Sequence, residues 1–408
     1  MSSPDGAVDL SDGQSFARGF PHDFFSWLRA NDPVYWHEPT AATPDGEGFW
    51  VVSRYADVDA VFMDPATFSS DKAGGRTAGG TSIKDERTAG KVLNETDDPQ
   101  HRRLREICNR GFTVKAVAAL EDELKRRTAA LIDSLEVGER CNFALRVSRE
   151  IPTQAICIVL GVPESDRKYL CDLVDAGVEQ ASGSVMAEGP VHDIRRYAQA
   201  FIESKRANPG NDIFSTIVHA RMQPDGDALS DFELRSFFAL LFPAGAETTT
   251  RTISGGMLAL LENRDQWRRL RRDPGLLKTA VEEMVRWVTP SVYKRRTATR
   301  DVQLHGRRIR EGDKLTVWEM SANRDERQFA DPFTFDIARA PNKHLGFGIG
   351  VHFCLGAALA RLELKVVFEA LAASALDFEL AGPLEWTANN RLCGLKGLPL
   401  AVTARGAD

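Results

Sequence analysis

Phe347-Gly348-Ile349-Gly350-Val351-His352-Phe353-Cys354-Leu355-Gly356 decides how the rest of the chain is read. A glycine-rich turn runs into a cysteine, and a helical pattern follows at once, from about Leu355 to Ala375. A thiol at a helix N-terminus faces the positive end of the macrodipole and N–H donors without intrahelical partners. Both favour the thiolate, the form that binds metal or attacks carbon. The preceding glycines let the backbone pass close to something flat or bulky. Three readings compete: a buried structural cysteine beside a glycine turn, a dinucleotide loop, and axial ligation of haem by thiolate. The dinucleotide loop fails on spacing. Gly346-x-Gly348 is followed by Val351, and Gly348-x-Gly350 by Phe353, where GxGxxG requires glycine.

The 408 residues around this turn are 43% hydrophobic and 27% charged, which excludes a disordered, collagen-like or small disulfide-scaffold protein. A net charge of −6 argues against a nucleic-acid partner and an anionic membrane surface. Cys108, Cys141, Cys157, Cys171, Cys354 and Cys393 form no CxxC pair, so a zinc ribbon or thioredoxin-like site is not expected. Such sparse cysteine fits a reducing compartment. No apolar segment follows the polar start Met1-Ser2-Ser3-Pro4-Asp5. The longest stretch free of Asp, Glu, Lys and Arg, His344 to Ala360, holds four glycines and two histidines and is no transmembrane helix. The expectation is a cytoplasmic protein without a membrane anchor, monomeric by default.

Local patterns predict a short helix at Phe24 to Ala30, a strand at Phe49 to Val52 and a helix at Tyr55 to Met63. Lys72 to Thr88, rich in Gly, Thr and charge, reads as a long loop of the kind that carries function. Asp98 to Ser204 is mostly helical, and Pro209-Gly210 and Pro224-Asp225-Gly226 are turn signals. Ser230-Asp231-Phe232-Glu233 is a capping box opening a helix to about Glu262. At ~1.5 Å per residue that helix is on the order of 50 Å long, enough to cross a domain. A second helix starts at Asp273-Pro274 and ends near Thr289-Pro290. The expected fold is mainly α with small β-sheets, in one domain over residues 1–408. Its helix-rich core falls at about 98–290 and 354–376, and its β regions at about 33–54, 292–319 and 378–404.

Phe-Gly-x-Gly-x-His-x-Cys-x-Gly, as it stands from Phe347 to Gly356, resembles the haem-binding loop of cytochrome P450 enzymes. The resemblance implies haem b (iron protoporphyrin IX) with Cys354 as its axial metal ligand and His352 on a propionate. Thiolate donation pushes electron density onto the iron and favours O–O cleavage. It also implies the P450 fold, with a long central oxygen-binding helix. On that helix, Phe237 to Ala246 carries no charge, so this part is expected to be buried. Pro243 cannot donate to the Ala239 carbonyl, Thr248 can bond back to that of Ala244, and Gly245 lowers the cost of distortion. Together they predict a local kink. Ala244-Gly245-Ala246-Glu247-Thr248-Thr249 is similar to the family's acid–alcohol segment. That similarity makes Thr248 the hydrogen-bond partner of dioxygen and Glu247 part of a proton relay.

Glu283-Met284-Val285-Arg286 gives two conflicting readings. Leu277, Val281, Met284, Val285 and Val288 define an apolar face, leaving Glu283 and Arg286 opposite it as a solvated pair worth well under ~1 kcal/mol. Resemblance to the family's Glu-x-x-Arg signature instead implies burial against the loop before the cysteine, with Arg339 as third partner. His101 and Arg105 share a helix face. Alone they read as a solvated cluster; the resemblance puts them, with Arg296, on the haem propionates.

The implied activity is a monooxygenase inserting one atom of O2 into a lipophilic small molecule, with a steroid, terpenoid or branched lipid favoured. Secondary-metabolite tailoring of a polyketide or peptide, and a non-hydroxylating haem-thiolate protein, are the alternatives. No flavin or iron–sulfur motif is present, so electrons would come from an iron–sulfur ferredoxin and its reductase. Arg102, Arg103 and Arg361 are candidate contacts for an acidic ferredoxin. By resemblance, substrate-pocket walls are expected from the loop near Lys72 to Val92, Phe238 to Thr248 including Ala244, Val292, and the region around Leu392. Lys294 falls on the strand face of Val292 and Arg296 if alternation is regular, where it would pair with a propionate or an acidic substrate. A cysteine-nucleophile enzyme using Cys354 and His352 is a separate reading, and it leaves the Glu–Thr helix unexplained.

Overall fold

In the computed structural model, which describes residues 8–179, 188–221 and 226–406, one helix from Asp231 to Glu262 sets the frame. Its start is the anticipated capping box: Glu233 N–H donates to Ser230 Oγ at 3.3 Å, and Ser230 N–H to the Glu233 carboxylate at 2.7 Å. The helix runs unbroken through Pro243, so the predicted kink does not interrupt it. Hydroxyls within it bond back one turn, Thr248 to Ala244 O at 2.9 Å, Thr252 to Thr248 O at 2.8 Å and Ser254 to Thr250 O at 3.0 Å. Back-bonding satisfies hydroxyls on a helix that has little water around it. Gly245 has a packing reason. A Cβ there would lie 2.8 Å from Ile156 Cδ1, so glycine admits the helix Glu150–Leu160 to close contact.

This central helix packs against Glu150–Leu160, Glu188–Ala207, Leu277–Val288 and Ala357–Ala373. Their apolar faces form the main core, with Phe237, Phe238, Ile253, Met257, Met284 and Phe368 near its centre. A five-stranded sheet lies outside it, in the order Val34–His37, Phe49–Val52, Lys314–Val317, Lys294–Ala298, Phe68–Ser69. Only Phe49–Val52 and Lys314–Val317 pair in parallel. Arg140–Asn142, Pro399–Ala404 and Leu376–Leu380 form a second, antiparallel sheet. The architecture is therefore mainly helical with small sheets.

Sequence pattern missed the helix Arg264–Arg272, in which only Trp267 and Leu270 are buried among charged neighbours. It also missed the short strands Phe68–Ser69 and Arg140–Asn142, too brief to show alternation. The turn at Pro224-Asp225-Gly226 lies largely outside the described residues. Among the described residues, no helix is long and apolar enough to cross a membrane.

The solvated reading of Glu283 and Arg286 is wrong. Both are 0% exposed. Arg286 Nε and Nη2 donate to the Glu283 carboxylate at 2.7 Å each, and Nη1 donates to the carbonyls of Asn323 and Pro332 at 2.8 and 2.9 Å. Arg339 Nε reaches both Glu283 oxygens at 3.2 Å, and Asn342 Nδ2 reaches one at 3.1 Å. Periodicity fails here because an irregular loop covers the helix's polar side. That loop, running on from Asn323 through Asn342, leads straight into the turn before Cys354.

Candidate active site

Cys354 is enclosed by protein, and its side chain is exposed only to a central cavity. Its N–H donates to Phe347 O at 2.9 Å, which closes the turn. Gly348 and Gly350 have φ of 67° and 76°, a region unfavourable to other residues. A Cβ on Gly350 would also lie 2.9 Å from Phe62 O. The regular helix begins at Ala357, one turn after the cysteine. Burial raises the thiol above its usual range, and the Gly356 N–H, Arg105, Lys294 and Arg361 oppose that rise. The helix N-terminus therefore favours the thiolate, but against a desolvation cost that sequence reading had not weighed.

His101, Arg105, Arg296 and His352 converge on the same cavity from three elements. The His101 and His352 rings are 4.1 Å apart, and Ser70 Oγ is 3.1 Å from His352 Nε2. His101 Nε2 is buried without a partner. Arg105 donates to Asn109 Oδ1 at 3.1 Å and Arg296 to the Arg295 carbonyl at 2.9 Å. Among the described residues neither arginine has an ion-pair partner. The crowding registers in the histidines. Burial, then Arg296, His101 and Arg105, push His352 down to about 2, and burial with Arg105 lowers His101. Four donors gathered around one site with an orphaned nitrogen call for an anionic ligand. With one cysteine thiol open to the same cavity, the set fits haem b: Cys354 on the metal, and the two arginines and two histidines on the two propionates.

Ala244 and Thr248 line the cavity from the central helix. Thr248 Oγ1 is spent on Ala244 O at 2.9 Å. Glu247 does not join them. It points to the other side of the helix, paired with Arg251 at 2.9 Å, both buried, and Arg251 is held in turn by Leu395 O at 3.1 Å. A side chain one position before Thr248 is rotated ~100° around the axis, which is enough to take it out of the cavity.

Val292 and Leu392 were expected in the pocket wall and are not there. Both are buried in core clusters instead. Regular strand pairing starts at Lys294, and Ser291 meets Leu392 only through an isolated bridge, so the two-residue alternation does not extend back to Val292. Ser291, Lys294 and Arg391 line the cavity in their place. Lys294 comes already paired: its Nζ is 3.0 Å from both oxygens of the buried Glu319 and 2.9 Å from Ser291 Oγ. Of the three arginines expected to dock a ferredoxin, Arg102 is 77% exposed and paired with Asp98 at 2.8 Å. Arg103 is bound to Asp227 and Glu233, and Arg361 to Glu282 at 2.6 and 2.8 Å.

Sequence reading also missed Glu363, which lines the cavity at 1% exposure with one carboxylate oxygen unpartnered. Its spacing in Ala357–Ala373 is that of the apolar face, which was the available signal. Burial alone pushes its carboxyl well above the usual range. A carboxyl whose folded pKa exceeds its unfolded value stabilises the fold fully only below that unfolded value, and this stability is lost as pH rises toward the folded pKa. Glu363→Gln should therefore gain stability over the parent protein as pH rises. The difference in melting temperature should grow in the variant's favour over the range above the usual carboxylate pKa. A difference that stays flat over that range would refute the assignment.

A family profile described as Cytochrome P450 matches residues 186–372. A relative named putative cytochrome P450 126, from Mycobacterium tuberculosis, is 49% identical over 407 residues, covering 98% of each chain. A methyl-branched lipid omega-hydroxylase from the same organism is 37% identical over 397 residues, 92% of this chain and 90% of that one. A solved structure, Mycobacterium marinum cytochrome P450 CYP268A2 in complex with pseudoionone, aligns with a TM-score of 0.86 at 33% identity, covering 98% of this chain and 99% of that one.

Proposed function

The chain belongs to the cytochrome P450 family, and on that premise we propose that it oxidises a lipophilic small molecule with electrons from an iron–sulfur ferredoxin and its reductase. It is a haem-thiolate monooxygenase, and its cofactor is haem b. Haem b, when bound, supplies the activation of dioxygen, one atom going to the substrate and the other to water. A branched lipid, steroid or terpenoid is the substrate class we favour. The single observation that carries this is the cavity above Cys354, walled by Leu93, Leu240, Leu241 and Ala244.

In this reading each residue has a limited task. Cys354 supplies the thiolate ligand. His101, Arg105, Arg296 and His352 fix the cofactor's acidic edge, and doing so satisfies the orphaned His101 Nε2. Thr248 holds a proton at Oγ1. Releasing its bond to Ala244 O would let it present that proton to the cavity. Glu247, paired with Arg251, keeps charge behind the helix and reaches the relay only by leaving that pair. The whole chain works as one cytoplasmic domain, with helices and the five-stranded sheet both contributing walls to one cavity.

Thr248→Ala tests the proton role. Loss of a positioned acid costs on the order of tenfold or more in productive turnover. Substrate oxidation per electron consumed should fall about that much while hydrogen peroxide rises to match. A fully coupled Thr248→Ala enzyme would remove Thr248 from proton delivery.

A further inference from the structure

The cavity contains one cation that nothing else in the site accounts for. Arg391 is 5% exposed and lines the cavity wall. Its Nη1 donates to the Tyr293 carbonyl, its Nη2 to Thr81 Oγ1 at 3.2 Å, and its guanidinium stacks 5.0 Å from the Tyr293 ring centroid. Its Nε is buried without a partner. Among the described residues it has no ion pair. The nearby acids are already committed. Glu319 is held by Lys294 on both oxygens. Glu95, 6% exposed, is pushed up to about 8 by burial and by Glu86, with Arg391 and Arg195 opposing the rise. Asn94, beside it on the cavity wall, also has a buried amide oxygen without a partner.

A desolvated, fixed cation with no acid in direct ion-pair contact is expensive to keep. The haem acids do not explain it, because four other groups already converge on them. A guanidinium has five N–H donors, of which the contacts to Tyr293 and Thr81 use two, and its fixed planar geometry suits a carboxylate without further ordering. We propose that Arg391 anchors the carboxylate of a lipophilic carboxylic-acid substrate, whose hydrocarbon body lies along the apolar wall at Leu240, Leu241 and Ala244. The proposal rests on the monooxygenase reading above. It moves the acid-binding role once considered for Lys294 to Arg391, since Lys294 arrives neutralised.

The test is an optical titration of the purified holoprotein, following the spin-state shift. The probes are the even-numbered saturated fatty acids from decanoic to octadecanoic and their methyl esters. At least one acid should shift the spectrum with a Kd about tenfold or more below that of its ester. In Arg391→Gln that acid should weaken about tenfold or more, to the level of the ester, and the ester should be unmoved. Arg391→Lys should keep part of the preference. Three results overturn the proposal: no acid shifts the spectrum, acid and ester bind parent protein equally, or the preference survives in Arg391→Gln. Haem loss in Arg391→Gln with an unchanged acid-to-ester ratio also overturns it, by making Arg391 a cofactor contact. If Arg391→Gln does not fold, the parent protein and Arg391→Lys decide, and equal binding of acid and ester in the parent is fatal. Failure of the underlying reading shows differently, as a parent protein without the thiolate signature in its carbon monoxide spectrum.

Discussion

Cys354→Ser is expected to fold, to lose the thiolate signature from its spectrum, and to lose at least about a thousandfold in monooxygenase turnover, on the order of 4 kcal/mol of barrier. The reasoning is local. The backbone of Cys354 is tied by its N–H to Phe347 O, and that bond survives the substitution. Its side chain opens on the cavity and packs in no core cluster. Serine keeps the size and loses the soft, electron-rich ligand that drives O–O cleavage. Melting temperature, spectrum and product formation should be read on one preparation. Unchanged stability with collapsed turnover fits the assignment. A serine variant retaining more than about a tenth of parental turnover would defeat it.

Arg286→Ala should do the opposite and destroy the fold before any chemistry can be measured. Among the described residues it leaves the wholly buried Glu283 with Arg339 as its remaining cationic partner, and it strips donors from the carbonyls of Asn323 and Pro332. Breaking a buried pair this way costs about 3–5 kcal/mol, and orphaned carbonyls add to it. A folded chain has only about 5–15 kcal/mol to lose. The loop that Arg286 pins leads to the Cys354 turn, so haem retention should fail along with stability. Arg286→Lys should not rescue it, since one ammonium cannot reproduce a bidentate contact and three carbonyl bonds. The measurement is soluble yield, haem content and melting temperature of Glu283→Ala, Arg286→Ala and Arg286→Lys. Variants melting within a few degrees of the parent with full haem would place the pair at the surface after all.

These two residues also show what was legible in the sequence. Cys354 could be read from ten residues, because spacing and glycine content express a backbone requirement that the turn then meets. The central helix was legible for the same reason: its capping box, its charge-free stretch and its back-bonding threonines are local. Glu283 and Arg286 were not. Their burial is imposed by a loop some fifty residues away, which periodicity on one helix cannot register. Glu247, one position before the cavity-lining Thr248, falls on another face of the helix, where it pairs with Arg251. Val292 and Leu392 were each one position from a residue that does line the cavity, Ser291 and Arg391. An assumed regular alternation carried that error, and an irregular strand start caused it. The buried charges Glu319, Glu363 and Arg391 were equally beyond pattern reading. Charged residues are seldom fully buried, and only the folded environment shows that these are.

The central claim is that Cys354 ligates haem as a thiolate. Its most direct test is the difference spectrum of the reduced holoprotein with and without carbon monoxide. A Soret band strongly shifted to the red, and lost in Cys354→Ser, is the predicted result. A band at the position of histidine-ligated or protonated-thiol haem in the freshly purified parent protein would contradict it.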